Sequence, residues 1–243
     1  MSHSQTRPAD NWSPLYFLAS VGAGGISVTF FMYLMHWVPH PGRTVPIFED
    51  IVAALGRGDA ALTAAITIAL LGIAIFGALN LSLLIWNLRK MRGFWASEKG
   101  QALANSNAQT QMMALPLALA MSINGGFILG LVFVPGLWSV IEYLFPLAMV
   151  AFLAVGYLAF KRLGQFIARV TASGGFDCAK NNSFAQMLPA FALAMTGVGL
   201  AAPAALSANA TVAGIGLILS SFFLVASAFI VLVGLVLGLR SIM

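Results

Sequence analysis

Six uninterrupted apolar runs, each long enough to cross a lipid bilayer as a helix, take up most of this chain, and nearly every charge falls between them. Few folds satisfy that pattern. A hydrocarbon core is about 30 Å deep and a helix rises about 1.5 Å per residue, so about 20 apolar residues make one crossing. The crossings are predicted near Pro14 to Val38, Ala60 to Leu88, Met112 to Val134, Trp138 to Phe160, Ala185 to Leu206 and Thr211 to Leu239. Lipid offers the backbone no hydrogen-bond partners, which selects helices. The runs lack the polar and apolar alternation of a membrane barrel. The expected fold is an all-α membrane protein, with six transmembrane helices as three tandem helical hairpins in one transmembrane domain, residues 1–243.

Composition agrees: 60% of residues are hydrophobic and 8% charged, so lipid must solvate the chain. The first apolar run is too long for a cleaved signal peptide and is followed by His36-Trp37-Val38-Pro39-His40, which is no small-residue cleavage site. Lysine and arginine near crossing ends are kept on the cytoplasmic side. Arg7, Arg89, Lys90, Arg92, Lys99, Lys161, Arg162, Arg169, Lys180 and Arg240 fall on one face, with Arg43 and Arg57 opposite. Both termini are therefore expected in the cytoplasm, with the protein in the cell's inner membrane. The formal charge of +5 then faces anionic lipid headgroups and points to no nucleic acid partner. All five tryptophans, Trp12, Trp37, Trp86, Trp95 and Trp138, fall at or near crossing ends, where indoles favour the headgroup region.

Loop lengths divide the crossings into pairs. The connections at Val134 to Trp138 and Leu206 to Thr211 are tight and uncharged, whereas Arg89 to Gln111 and Lys161 to Phe184 are long and polar. In the first external connection, Ile47, Phe48, Ile51, Val52 and Leu55 recur at the spacing of a short surface helix. A repeat relates the odd crossings: Met113-Ala-Leu-Pro-Leu-Ala-Leu-Ala-Met121 parallels Met187-Leu-Pro-Ala-Phe-Ala-Leu-Ala-Met195, with glycine following in both. Pro14, Pro116 and Pro189 stand near the cytoplasmic ends of the odd crossings. A proline within a helix frees a carbonyl that protein or water must satisfy, so kinks are expected there. Small or weakly polar residues dominate one face in each: Ala19, Gly22, Gly25 and Thr29; Ala118, Ser122, Gly125 and Leu129; Ala192, Thr196, Gly199 and Pro203. Such faces either pack helices closely or line a path, with the odd helices as an inner ring and the even helices outside.

Polar residues within crossings are expensive and so worth inspecting. Glu142 lies four residues into the fourth crossing, an interfacial carboxylate or part of an ion pathway. Asn124, near the middle of the third, is helix glue or an amide donor to a passing anion. No lysine or arginine sits mid-membrane, which suits weak binding and conduction better than tight capture. His36 and His40 are separated by a proline that spoils a shared metal geometry. Cys178, the sole cysteine, is a reduced thiol or a redox or modification site, and no intramolecular disulfide can form. No phosphate loop, catalytic constellation, metal site or cofactor motif is present, so no enzyme is expected.

The hairpins, their prolines and the placement of the termini resemble the tellurite-resistance and dicarboxylate transporter superfamily, which includes the slow anion channels of plant guard cells. Tyr16-Phe-Leu-Ala-Ser-Val-Gly-Ala-Gly-Gly25 and Asp177-Cys-Ala-Lys-Asn-Asn-Ser-Phe-Ala-Gln-Met-Leu-Pro189 are similar to its bacterial TsoY-type branch, which includes selenoproteins. The resemblance implies a trimeric homo-oligomer of separate pores, each walled by the odd helices of five hairpins. Since three hairpins are read here, it also implies the N-terminal portion of a longer protein. The expected function is a channel or transporter for small anions, and the alternative is a non-conducting membrane scaffold.

Overall fold

The computed structural model describes residues 12–57, 59–172 and 184–240. The described residues are helical with no strand, and six helical spans are long and apolar enough to cross a membrane, an all-α membrane protein. The helices are α1 (Phe17–Trp37), α2 (Phe48–Leu55), α3 (Ala60–Trp95), α4 (Glu98–Ala104), α5 (Ala114–Phe133), α6 (Ile141–Ala172), α7 (Leu188–Leu206) and α8 (Ala210–Arg240). The spanning helices are α1, α3, α5, α6, α7 and α8.

The odd crossings, α1, α5 and α7, each begin with a turn of 3₁₀ helix: Pro14–Tyr16, Asn107–Met113 and Phe184–Met187. The repeat proline stands at or just past each of these junctions. Pro14 opens its 3₁₀ turn, Pro189 is the second residue of α7 and Pro116 the third of α5. A proline there removes an N–H that has little or no helical partner, so these residues start the helices rather than kink them. The prolines inside α-helices are Pro146 in α6 and Pro203 in α7. At the opposite side of the first crossing, α1 ends at Trp37, just before Val38-Pro39.

Two spanning helices outrun their apolar runs. α3 continues to Trp95 and α6 to Ala172, so Arg89, Lys90, Arg92, Lys161, Arg162 and Arg169 stand on helical stems rather than in loops. The connector after α3 folds into α4, capped by the Ser97 hydroxyl, which accepts from Gly100 N–H at 3.2 Å. The turn Asn107–Met113 packs against the other two 3₁₀ turns and against the distal part of α6, forming a basic end of the bundle. At the far end α2 forms as its periodicity predicts, held by Asp50. That carboxylate accepts from the Ile47 N–H at 3.1 Å and pairs with Arg43. Glu49 accepts from Gly136 N–H at 2.7 Å, tying α2 to the α5–α6 turn, where Gly136 has φ of 70°.

Packing separates the spans unequally. α1 lies along α3 and α7 along α8, while α5 packs against both α1 and α7. Of the odd helices, α5 is the one that packs extensively against both others, so they form a row centred on α5 and not the expected ring. Burial follows position in that row. In their most apolar stretches α5 and α7 are 56% buried, α1 and α3 33%, and α8 only 22%. The inner role therefore belongs to α5 and α7; α1 is as open as its partner α3.

Candidate functional site

One cavity of about 430 Å³ lies between α1, α5, α6 and α7. Its walls come from residues 25–32 of α1, 121–131 of α5, 141–152 of α6 and 195–206 of α7. Trp138, Val45 and Leu206 line it toward the far end; Met121, Met195 and Phe152 line it nearest the bundle centre. Beyond them, toward the basic end, Ala114, Ala118, Ala192, Leu193 and Phe17 are fully buried in a continuous core. The cavity is blind toward the basic end.

Four of the path candidates read from sequence meet here: Gly25 on α1, Asn124 on α5, and Gly199 and Pro203 on α7. Asn124 lies at the centre of the row, and its Nδ2 donates to Met195 Sδ at 3.5 Å across to α7. Gly199 gives room for the buried Phe152 ring, since a Cβ there would overlap it. Pro203, also in the wall, has no N–H, so the Gly199 carbonyl lacks its usual donor four residues on. An amide, a freed carbonyl and the Trp138 indole are thus the polar elements of a wall otherwise built of aliphatic, aromatic and thioether groups. The wall has no titratable side chain or hydroxyl, so it suits passage or binding of a small solute rather than acid–base chemistry. Among the described residues no group of three or more histidine, cysteine, aspartate or glutamate side chains could hold a metal.

The other candidates lie elsewhere. Gly125 faces α3, where the nearest atom to a Cβ would be Asn80 Oδ1 at 3.7 Å. Ser122 is buried with its hydroxyl unpartnered and lines a separate cleft of about 360 Å³ between α5 and α6. Thr29 and Gly22 are exposed, and the Thr29 hydroxyl donates to the Gly25 carbonyl of its own helix at 3.0 Å. Thr196 is fully buried and likewise donates back, to Ala192 O at 2.9 Å. Pro14, Pro116 and Pro189 are buried at the basic end, away from the cavity. Cys178 lies outside the described residues. Successive helical residues turn by about 100°, so Ser122, Asn124 and Gly125 look in three directions although they are close in sequence.

Glu142 accepts from the Ser207 hydroxyl at 2.6 Å and from Ala208 N–H at 2.7 Å, fastening α6 to the α7–α8 turn. The carboxylate is a staple of the far end.

Comparison with protein families, curated proteins and solved structures finds no match. The site therefore rests on geometry.

Two buried side chains escaped the sequence reading. Asn80 of α3 donates from Nδ2 to Ser20 O at 2.7 Å and to Ser20 Oγ at 3.0 Å, while the Ser20 hydroxyl donates to Asn80 O at 2.9 Å. One heptad on, Asn87 accepts from the Trp12 indole N–H at 2.9 Å and donates to Tyr16 O at 3.1 Å. Trp12 is 4% exposed, so its indole packs inside the bundle rather than turning outward. The seven-residue spacing of the two asparagines, two helical turns, is the signal that would have found them.

Proposed function

We propose that this chain is a multi-pass channel or transporter for small anions whose path includes the cavity between α1, α5, α6 and α7. The observation that carries the proposal is the convergence of Gly25, Asn124 and Gly199, contributed by three alternate crossings, on that one space. A wall without fixed charge admits an ion without trapping it, and the Asn124 amide offers an N–H donor midway. The basic end, taken as cytoplasmic, would raise the local anion concentration at one mouth. The resemblance to the slow-anion-channel superfamily supports the same class and a homo-oligomeric assembly. The core between the cavity and the basic end is shut, so conduction requires Met121, Met195 and Phe152 to move; methionine's unbranched side chain repacks at low cost.

The second reading is a membrane scaffold, and a specific observation favours it: Gly24, Gly72, Gly156 and Gly197 are each filled by a side chain from another helix, as close packing requires. Flux measured in proteoliposomes separates the two. Chloride, nitrate or sulfite uptake by the unaltered protein, lost in Gly25→Leu and reduced in Asn124→Leu, supports a path through the cavity. Absence of flux for all three anions in well-folded protein leaves the scaffold.

A further inference from the structure

Past its apolar run, α6 carries Arg162 and Arg169 two helical turns apart and hence on the same side. Both lean on the 3₁₀ turn Asn107–Met113. Arg162 Nη1 donates to Met112 Sδ at 3.9 Å, and its guanidinium lies 5.8 Å from the Trp95 ring centre. Arg169 Nε donates to Gln109 Oε1 at 2.9 Å, and its guanidinium lies 5.5 Å from the Phe166 ring centre. These partners are neutral, and neither arginine pairs with a carboxylate among the described residues.

Each guanidinium also has a buried N–H without a hydrogen-bond partner, Nε of Arg162 and Nη2 of Arg169. Thr110, in the same turn, is 4% exposed and its hydroxyl is unpartnered too. Buried donors left unmet are costly, most of all on a charged group. Three of them around one turn call for a ligand rich in oxygen acceptors and negative charge.

Beside them runs a groove of about 230 Å³ between α6 and α8, lined by Thr110, Leu163, Phe166, Ile167, Ile230 and Val233 among others. Thr110 belongs to both the donor cluster and the groove, and Phe166 joins Arg169 to it. A free anion would use the arginines and leave the apolar groove without a role. A molecule with a phosphate at one end and a hydrocarbon chain at the other uses both.

We propose that the basic end of α6 is a binding site for an anionic phospholipid, with the phosphate accepting from Arg162, Arg169 and Thr110 and one acyl chain lying in the groove between α6 and α8. The site stands whether or not solute passes through the cavity.

Trp95, beside Arg162, is a local reporter. The full chain is placed in phosphatidylcholine vesicles carrying either brominated phosphatidylglycerol or brominated phosphatidylcholine, and the quenching removed by Trp95→Phe is taken as the Trp95 share. The brominated anionic lipid should quench that share with about tenfold higher apparent affinity than the zwitterionic one. Arg162→Gln with Arg169→Gln should bring the preference down to about twofold, the residue of diffuse surface charge. Arg89→Gln with Arg92→Gln, which removes the same charge from two exposed residues of α3, should leave the preference intact. Thr110→Val and the Arg162→Lys, Arg169→Lys pair, which retains charge but not the guanidinium fork, should each weaken the preference; these carry the test if the glutamine pair does not fold. Equal quenching by the two lipids, preference retained in the glutamine pair, or no change in both the valine and the lysine variants would overturn the proposal. Inorganic phosphate at millimolar concentration should not relieve the quenching; full relief would assign the site to a free anion and overturn the lipid.

Discussion

The first and third helix pairs are stitched together, and the middle pair is not. Between α1 and α3, the Ser20 and Ser27 hydroxyls donate to the Asn80 and Ile73 carbonyls, one heptad apart on both helices. Between α7 and α8 the direction is reversed, with Ser220 and Ser227 of α8 donating to Gly197 and Ala190 of α7 at 2.8 Å each, again one heptad apart. A hydroxyl reaching a neighbour's backbone fits only where the helices approach closely, and a period of seven keeps the seam on one face of slightly supercoiled helices. The first pair adds the Asn80 and Asn87 amides, the third only hydroxyls. Between α5 and α6 no such bond forms. Ser122 is orphaned, a cleft opens beside it, and the main cavity lies on α5's other flank. Sealed pairs thus frame an unsealed one, and free space collects where the stitching stops.

Adjacent glycines give the sharpest test of that contrast. A Cβ at Gly24 would sit 2.7 Å from Met121 Cγ and 2.9 Å from Asn80 Nδ2, at the junction of α1, α3 and α5, whereas a Cβ at Gly25 meets nothing within 4 Å. Gly24→Leu should therefore lower unfolding stability in detergent by about 3 kcal/mol, and Gly25→Leu by less than about 0.5 kcal/mol, as read from denaturant titration. Equal losses would mean that the seam and the cavity are not distinct. Next in size is Asn80→Leu, which removes the two hydrogen bonds that the Asn80 amide donates to Ser20 and should cost about 2 kcal/mol. Gly125→Leu belongs with it, because its side chain would press on Asn80; its effect is expected on thermal stability before flux. Ser220→Ala and Ser227→Ala should each cost about 0.6 kcal/mol and add, since the two bonds are separate. Smallest is Ser122→Ala in the unstitched pair, expected to be neutral or to stabilise by up to about 1 kcal/mol, because it removes a buried hydroxyl that has no partner. A clear loss there would reveal a bond holding α5 to α6 after all.

The crossings were legible because hydropathy over about 20 residues is a property of the local chain. The short helix α2 was legible for the same reason, from its apolar spacing. The prolines were legible as punctuation but not in effect: the same residue bends a helix from within and begins one at its first turn, and only the actual start of the helix decides. Trp12 was legible as lying near a crossing end but not in what it faces, because an indole there serves a lipid interface or a buried asparagine equally well. Its partner Asn87 is 75 residues away. The faces of small residues were visible as stripes, yet a stripe does not say which neighbour it meets.

Sequence alone determined that this chain spans a membrane as helices, where the crossings fall and which end is basic, because burial in lipid and the energy of charge act residue by residue. Tertiary structure decided that α1, α5 and α7 form a row, that Gly25, Asn124 and Gly199 share one cavity while Gly125 and Ser122 turn away from it, and that Arg162 and Arg169 keep unmet donors. Those outcomes depend on the rotation of each helix about its own axis, and inside a bilayer, where nearly every side chain is apolar, helix-to-helix contacts set that rotation.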